Sequence, residues 1–151
     1  MRRRHMTLVA GLALALAVAG VATAGNGGRP FSTALTGAEE APGPGDADAT
    51  GQADLRLNQG RERVCFEIDW ADVDGEVFAA HIHIAPAGAP GPIVVPLFDG
   101  SFAGTDATSG CVQDVDRGLI KAIRKDPSAY YVNVHSLPDF AGGAIRGQLS
   151  K

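Results

Sequence analysis

The chain has 151 residues, with 17 acidic side chains against 13 basic ones and a formal net charge of −4. That length predicts a single domain. The acidic balance, with basic residues only scattered, excludes a nucleic-acid binder and a partner of anionic membrane surfaces.

Residues 1–24 read as a secretory signal peptide. Arg2, Arg3 and Arg4 form a basic start, Thr7 to Val21 is almost wholly Leu, Ala, Val and Gly, and Ala22-Thr23-Ala24 supplies the small residues that a signal peptidase reads. The predicted cleavage follows Ala24. The apolar run is shorter than the roughly 20 residues a membrane anchor needs, so no membrane span is expected after cleavage and the protein is expected to be secreted. Arg3-Arg4 is followed by His5-Met6-Thr7, a poor twin-arginine signal, which favours the general export route. The leader carries three arginines and no acid, so its removal takes the formal charge from −4 to −7. In an oxidising compartment Cys65 and Cys111 are expected to form a disulfide, the other readings being free thiols or a metal site.

Residues 25–30 are Gly-rich and predict a flexible leader, with the domain over residues 31–151. Phe31 to Leu35 reads as a short strand, and the Pro- and Gly-rich segment from Gly37 to Gly51 as a loop whose acids Glu39, Glu40, Asp46 and Asp48 are solvated. From there the apolar period is two. Ala53, Leu55 and Leu57 alternate with Asp54 and Arg56, and Val64, Phe66, Ile68 and Trp70 alternate with Cys65, Glu67 and Asp69. Ala80, Ile82 and Ile84 alternate with Ala79, His81 and His83. A Gly/Pro loop from Pro86 to Pro92 precedes a short strand from Ile93 to Phe98, where Pro96 hints at a sheet edge. One helix is predicted, capped by Asp116, with Leu119, Ile120 and Ile123 at helical spacing and Pro127 ending it. Tyr130, Val132 and Val134 then alternate with Tyr131, Asn133 and His135. A last strand sets Ile145 and Leu149 against Arg146 and Gln148. Short strands with turns between them predict an all-β antiparallel sandwich or barrel.

The order of these segments resembles the CHRD (chordin-type) domain. Leu35-Thr-Gly-Ala-Glu-Glu40-Ala-Pro42 is similar to its opening Leu-x-Gly-x-x-Glu-x-Pro stretch, and Gly51-Gln52-Ala53 to the strand that follows. Ala80-His81-Ile82-His83 resembles the family's His-Ile-His strand, Tyr130 to His135 its Tyr-Val-Asn-Val-His strand, and Ile145 to Leu149 its closing Ile-Arg-Gly-Gln-Leu. The resemblance runs from Phe31 to Lys151 and departs at Ile84-Ala85-Pro86, where the family has Gly soon after the second histidine. It implies an extracellular all-β domain, expected here as an antiparallel β-sandwich of the immunoglobulin or superoxide-dismutase kind with one short helix. In chordin such domains accompany cysteine-rich modules that bind growth factors. None occurs in this sequence, so that activity is not carried over.

The alternation makes a geometric claim. His81 and His83 face one way, and so do Asn133 and His135, and Arg146 and Gln148; Glu67 and Asp69 are on the outward set of their own strand. If the strands are neighbours, these residues share one non-core face. Two readings follow. Three imidazoles from two strands suit copper or zinc, with an open position that would permit redox activity. Alternatively the histidines hydrogen-bond within a polar network of Asn133, Arg146, Gln148, Tyr131 and the acids, a reading that a cation at Arg146 favours. His135 and Ser136 point to opposite faces, which is wrong for a base and its nucleophile, and no other catalytic set stands out. The sequence therefore predicts a secreted, non-enzymatic binding or structural module with an unidentified extracellular or cell-surface partner. Its alternative is a copper- or zinc-binding protein using His81, His83 and His135.

Overall fold

The apolar set of the alternating strands turns to one side, and a sheet of eight strands closes around it. The computed structural model describes residues 27–150. The predicted signal peptide lies outside the described residues. The strands are β1 (Arg29–Thr36), β2 (Thr50–Asn58), β3 (Arg63–Ala71), β4 (Glu76–Ile84), β5 (Ile93–Asp99), β6 (Ala107–Val112), β7 (Tyr130–Leu137) and β8 (Ile145–Gln148). Among the described residues one α-helix, α1 (Arg117–Lys125), lies between β6 and β7. β1 begins at Arg29, so the last two residues of the expected leader are already strand.

All eight strands join one sheet in the order β5-β4-β7-β8-β1-β2-β3-β6, and every neighbouring pair is antiparallel. The two edge strands, β5 and β6, come back into contact, so the sheet forms a nearly closed barrel. The antiparallel β fold with one short helix matches the sequence reading. The ladders run through one continuous sheet, without the division into two sheets that a sandwich implies. Pro96 does lie on an edge strand.

The interior holds Leu35, Ala53, Leu55, Leu57, Val64, Ile68, Ala80, Ile82, Val132, Val134 and Ile145, all almost completely buried. Burying one such Leu, Ile or Val side chain contributes about 1.5–3 kcal/mol. Across the gap between the edges, Phe98 of β5 packs on Phe66 and Trp70 of β3 at centroid separations of 5.8 and 6.0 Å. Helix α1 turns buried Ile120 and Ile123 inward, and contacts β2. The Asp116 carboxylate caps it by accepting from the Leu119 amide at 2.8 Å.

Strand β6 was not anticipated. Its inward residues are Thr108, Gly110 and Val112, too small and mixed to show an apolar period. It is fixed instead by its partner: Cys65 stands directly opposite Cys111 in the β3–β6 ladder, and the two form the disulfide.

That bridge closes a loop of 46 residues, which restricts the unfolded chain by about 2–4 kcal/mol. The Cys65→Ser/Cys111→Ser variant should therefore show a lowered urea midpoint and, because its unfolded chain is no longer cross-linked and exposes more surface, a steeper slope. An unaltered midpoint would show that the bridge adds nothing to the ladder it joins.

Candidate metal centre

On the outside of β4, β7 and β8 the alternation sets out a polar row of side chains. In the ladders His83 is opposite Tyr131 and His81 opposite Asn133, with Ala79 opposite His135. Across the next ladder Tyr131 meets Gln148 and Asn133 meets Arg146. His135 is thus the diagonal neighbour of His81 on the adjoining strand, within reach of a long side chain. A register shift between Val77 and Ala79 sits just beside this row, the kind of irregularity that re-aims side chains.

This outer face is largely covered, with His81 and Gln148 partly exposed. Residues 85–92, between β4 and β5, and residues 138–144, between β7 and β8, fold over it. His83 and His135 are each only 7% exposed, Asn133 2% and Arg146 1%. Buried loop carbonyls need donors, and the polar row supplies them. Arg146 Nη1 donates to Ala89 O at 2.9 Å and Nη2 to Pro86 O at 3.0 Å. Gln148 Nε2 donates to Ala85 O at 2.9 Å. The loop turns back through Gly91, where a Cβ would lie 2.0 Å from Ile84 O, so no larger residue fits without moving the strand end.

The same loops fix the imidazoles. His83 Nδ1 lies 2.8 Å from Gly91 O, and His135 Nδ1 lies 3.1 Å from Ala141 O. A carbonyl only accepts, so both Nδ1 atoms carry a proton, and in the neutral form of each ring the lone pair is then on Nε2. His83 Nε2 is buried with no hydrogen-bond partner. His135 Nε2 faces His81 Nδ1 at 3.0 Å and Asn133 Oδ1 at 3.0 Å. The second contact sets acceptor against acceptor, and is resolved either by turning the amide over or by a cation at that point. Ligand atoms of the three histidines all lie within 4.8 Å of one another.

Burial holds every shifted group here toward its neutral form. Desolvation, followed by the neighbouring His135 and His83, lowers the pKa of His81 to about 4, against a smaller opposing pull from Asp99. Desolvation also lowers His135, opposed by its bond to Ala141. Glu40, read from sequence as a solvated loop acid, is instead half-buried against this face, and burial raises its pKa to about 7 despite Arg146, the Ala41 amide and the Asn133 side chain. Its Oε1 is buried without a hydrogen-bond partner. Asp46 is likewise buried, at 2% exposure, and its carboxylate accepts from the Asp74 amide at 2.6 Å.

The sequence reading expected His81, His83, Asn133, His135, Arg146 and Gln148 together, and they are together. Glu67 and Asp69 are elsewhere: both are exposed on β3, with β1 and β2 lying between β3 and β8 in the sheet. One contributor went unassigned: Glu40, the acid of the Leu-x-Gly-x-x-Glu-x-Pro stretch, which was the available signal. Tyr131, expected in the polar network, is 3% exposed; its ring stacks on His83 at 4.8 Å and 8°, and its hydroxyl accepts from Gly91 N at 3.2 Å. Arg146 Cζ lies 3.4 Å from the centroid of the same ring. Ser136 is fully buried and donates to Asp74 O at 2.7 Å, on the side opposite His135.

A comparison with protein-family models matches the CHRD domain over residues 31–149. Neither a curated protein nor a solved structure matches the chain.

The raised pKa of Glu40 has a definite sign in stability. The unfolded chain releases this proton near 4.5 and the folded chain near 7, so folding binds a proton between those values and the contribution of the neutral acid is lost as pH rises through that window. Glu40→Gln removes this loss and leaves the histidine contributions common to both proteins. The variant's stability relative to the parent, from urea midpoints, should rise from pH 4.5 to pH 8. A difference that is constant over that range would contradict the burial of this carboxyl.

Proposed function

The chain belongs to the CHRD domain family, and from that membership and the site above we propose that it is an exported, non-enzymatic module of the cell exterior that binds one copper or zinc ion through His81, His83 and His135. The observation that carries the metal reading is the direction of the protons. Two buried imidazoles give their Nδ1 protons to backbone carbonyls, Gly91 O and Ala141 O, leaving Nε2 lone pairs beside His81 Nδ1. Metal-ligating histidines are held in this manner, the outer nitrogen fixed by an acceptor so that the inner one is free to ligate.

The spacing is compatible with a small ion. Nitrogen donors about 2.0–2.1 Å from a metal lie roughly 3.3–3.6 Å apart. One pair of ring nitrogens is already 3.0 Å apart, and the ligand atoms of the group are within 4.8 Å, so modest ring rotation closes the set. Imidazole donors suit copper and zinc above calcium or magnesium, which take oxygen.

Export is supported by the basic, apolar and small-residue order of residues 1–24 and by the disulfide. Among the described residues no helix is long and apolar enough to cross a membrane. A binding role, with an extracellular or cell-surface partner, fits a site that offers lone pairs but no nucleophile. The purely structural reading of the histidines is favoured by one contact, the His81–His135 pair at 3.0 Å, which is satisfied without an ion.

Equilibrating the purified protein, free of any affinity tag, with copper or zinc and then removing unbound metal should leave about one ion per chain. The His81→Ala/His83→Ala variant should retain almost none while keeping the parent's far-UV circular dichroism. Absence of bound metal from the parent at micromolar concentrations would return the cluster to a hydrogen-bonding role.

A further inference from the structure

We propose that this centre is a copper site that holds the monovalent ion in preference to the divalent one, with Arg146, acting through Tyr131, setting that preference. The inference rests on the metal reading above and specifies the ion and its charge.

The donor set is the first argument. The group contains three histidines and no thiolate or carboxylate, so it offers three neutral lone pairs and no charge to offset that of the ion. Divalent zinc prefers four donors, and divalent copper a tetragonal set of four or more. Monovalent copper, with a filled d shell, is content with three in a trigonal array.

Burial is the second argument. The cost of taking an ion out of water grows as the square of its charge, so a dry site penalises a divalent ion about four times as heavily as a monovalent one. Two of the three rings are more than nine-tenths buried, His83 and His135, and Phe78 stands 5.9 Å from the His135 ring.

The third argument is the neighbouring charge. Strand β7 lies between β4 and β8, so the Tyr131 ring stands between His83 on one side and Arg146 on the other, at 4.8 and 3.4 Å. Arg146 is always charged. Its hydrogen bonds go to the neutral oxygens of Ala89, Pro86 and Gln148, and among the described residues no carboxylate lies within ion-pair distance of it. The acids nearby are Glu40, which forms no ion pair with Arg146 and which burial keeps partly protonated at neutral pH, and Asp99, which acts on His81 from an exposed strand end. The guanidinium therefore repels the bound ion, and repels a double charge twice as strongly as a single one. The feature that argued from sequence against any metal thus selects the ion of lowest charge.

The test measures two dissociation constants for the untagged protein, one for copper(I) under anaerobic conditions against a chromophoric copper(I) chelator, the other for copper(II) against a competing amino-acid ligand. The expected result is copper(I) bound at least about 100-fold more tightly than copper(II). Equal or tighter binding of copper(II) overturns the proposal while leaving the metal reading intact; binding of neither ion, nor of zinc, overturns both. Arg146→Gln, which removes the charge and keeps an amide donor, should narrow the ratio by about tenfold. Should that variant not fold, Arg146→Lys serves in its place: it keeps the charge, so it should retain the parent's ratio, and a ratio reduced as far as loss of charge predicts would overturn the role assigned to Arg146.

Discussion

One guanidinium holds the outer face of the sheet closed. Arg146, almost completely buried, reaches from β8 across β7 to the carbonyls of Pro86 and Ala89. Both bonds are partly buried, and a hydrogen bond from a charged donor contributes about 1.5–3 kcal/mol. The same loop carries Gly91, whose carbonyl fixes His83 and whose amide meets the Tyr131 hydroxyl. Arg146 thus couples the position of this loop, with help from Gln148 through Ala85 O, to the orientation of His83 and to the charge at the site. A fold that buries a cation against neutral oxygens gives up part of its stability to hold this geometry.

From that closure follows the chemistry. The face would be an ordinary wet surface if the loops lay elsewhere. Covered, the face pushes His81 and His135 down and Glu40 up, each toward its uncharged form. What remains is a set of lone pairs in a place that resists added charge. Such a place suits recognition of a soft, low-charge ion by its electron-pair demand.

Much of this was legible in the sequence because a strand's period of two is unforgiving: His81 and His83 with Ile82 between them, and Asn133 and His135 with Val134, fix which residues share a face whatever the sheet's outline. The family resemblance supplied the order of the strands but not their closure. Whether antiparallel strands form two sheets or one nearly closed sheet depends on whether the edges meet, here through Phe98, Phe66 and Trp70, and no local pattern records that. Strand β6 escaped notice because its inward residues include Thr108 and Gly110. Glu40 and Asp46 were read as solvated because acids among Gly and Pro usually are; their burial is decided by what packs on them from far along the chain, Arg146 and Asp74. Glu67 and Asp69 were rightly placed outward, but outward on a barrel points in many directions, and theirs is on another side.

The central claim is that His83 and His135 reserve their Nε2 atoms, and His81 its Nδ1, for a common ion. It is tested most directly by a crystal structure of the copper-loaded protein with anomalous scattering collected at the copper edge. The account predicts a single strong peak about 2.0 Å from those three nitrogens, with the Nδ1 atoms of His83 and His135 still bonded to Gly91 O and Ala141 O. A peak at exposed acids or at one ring alone, with the other two imidazoles unmoved, would contradict it.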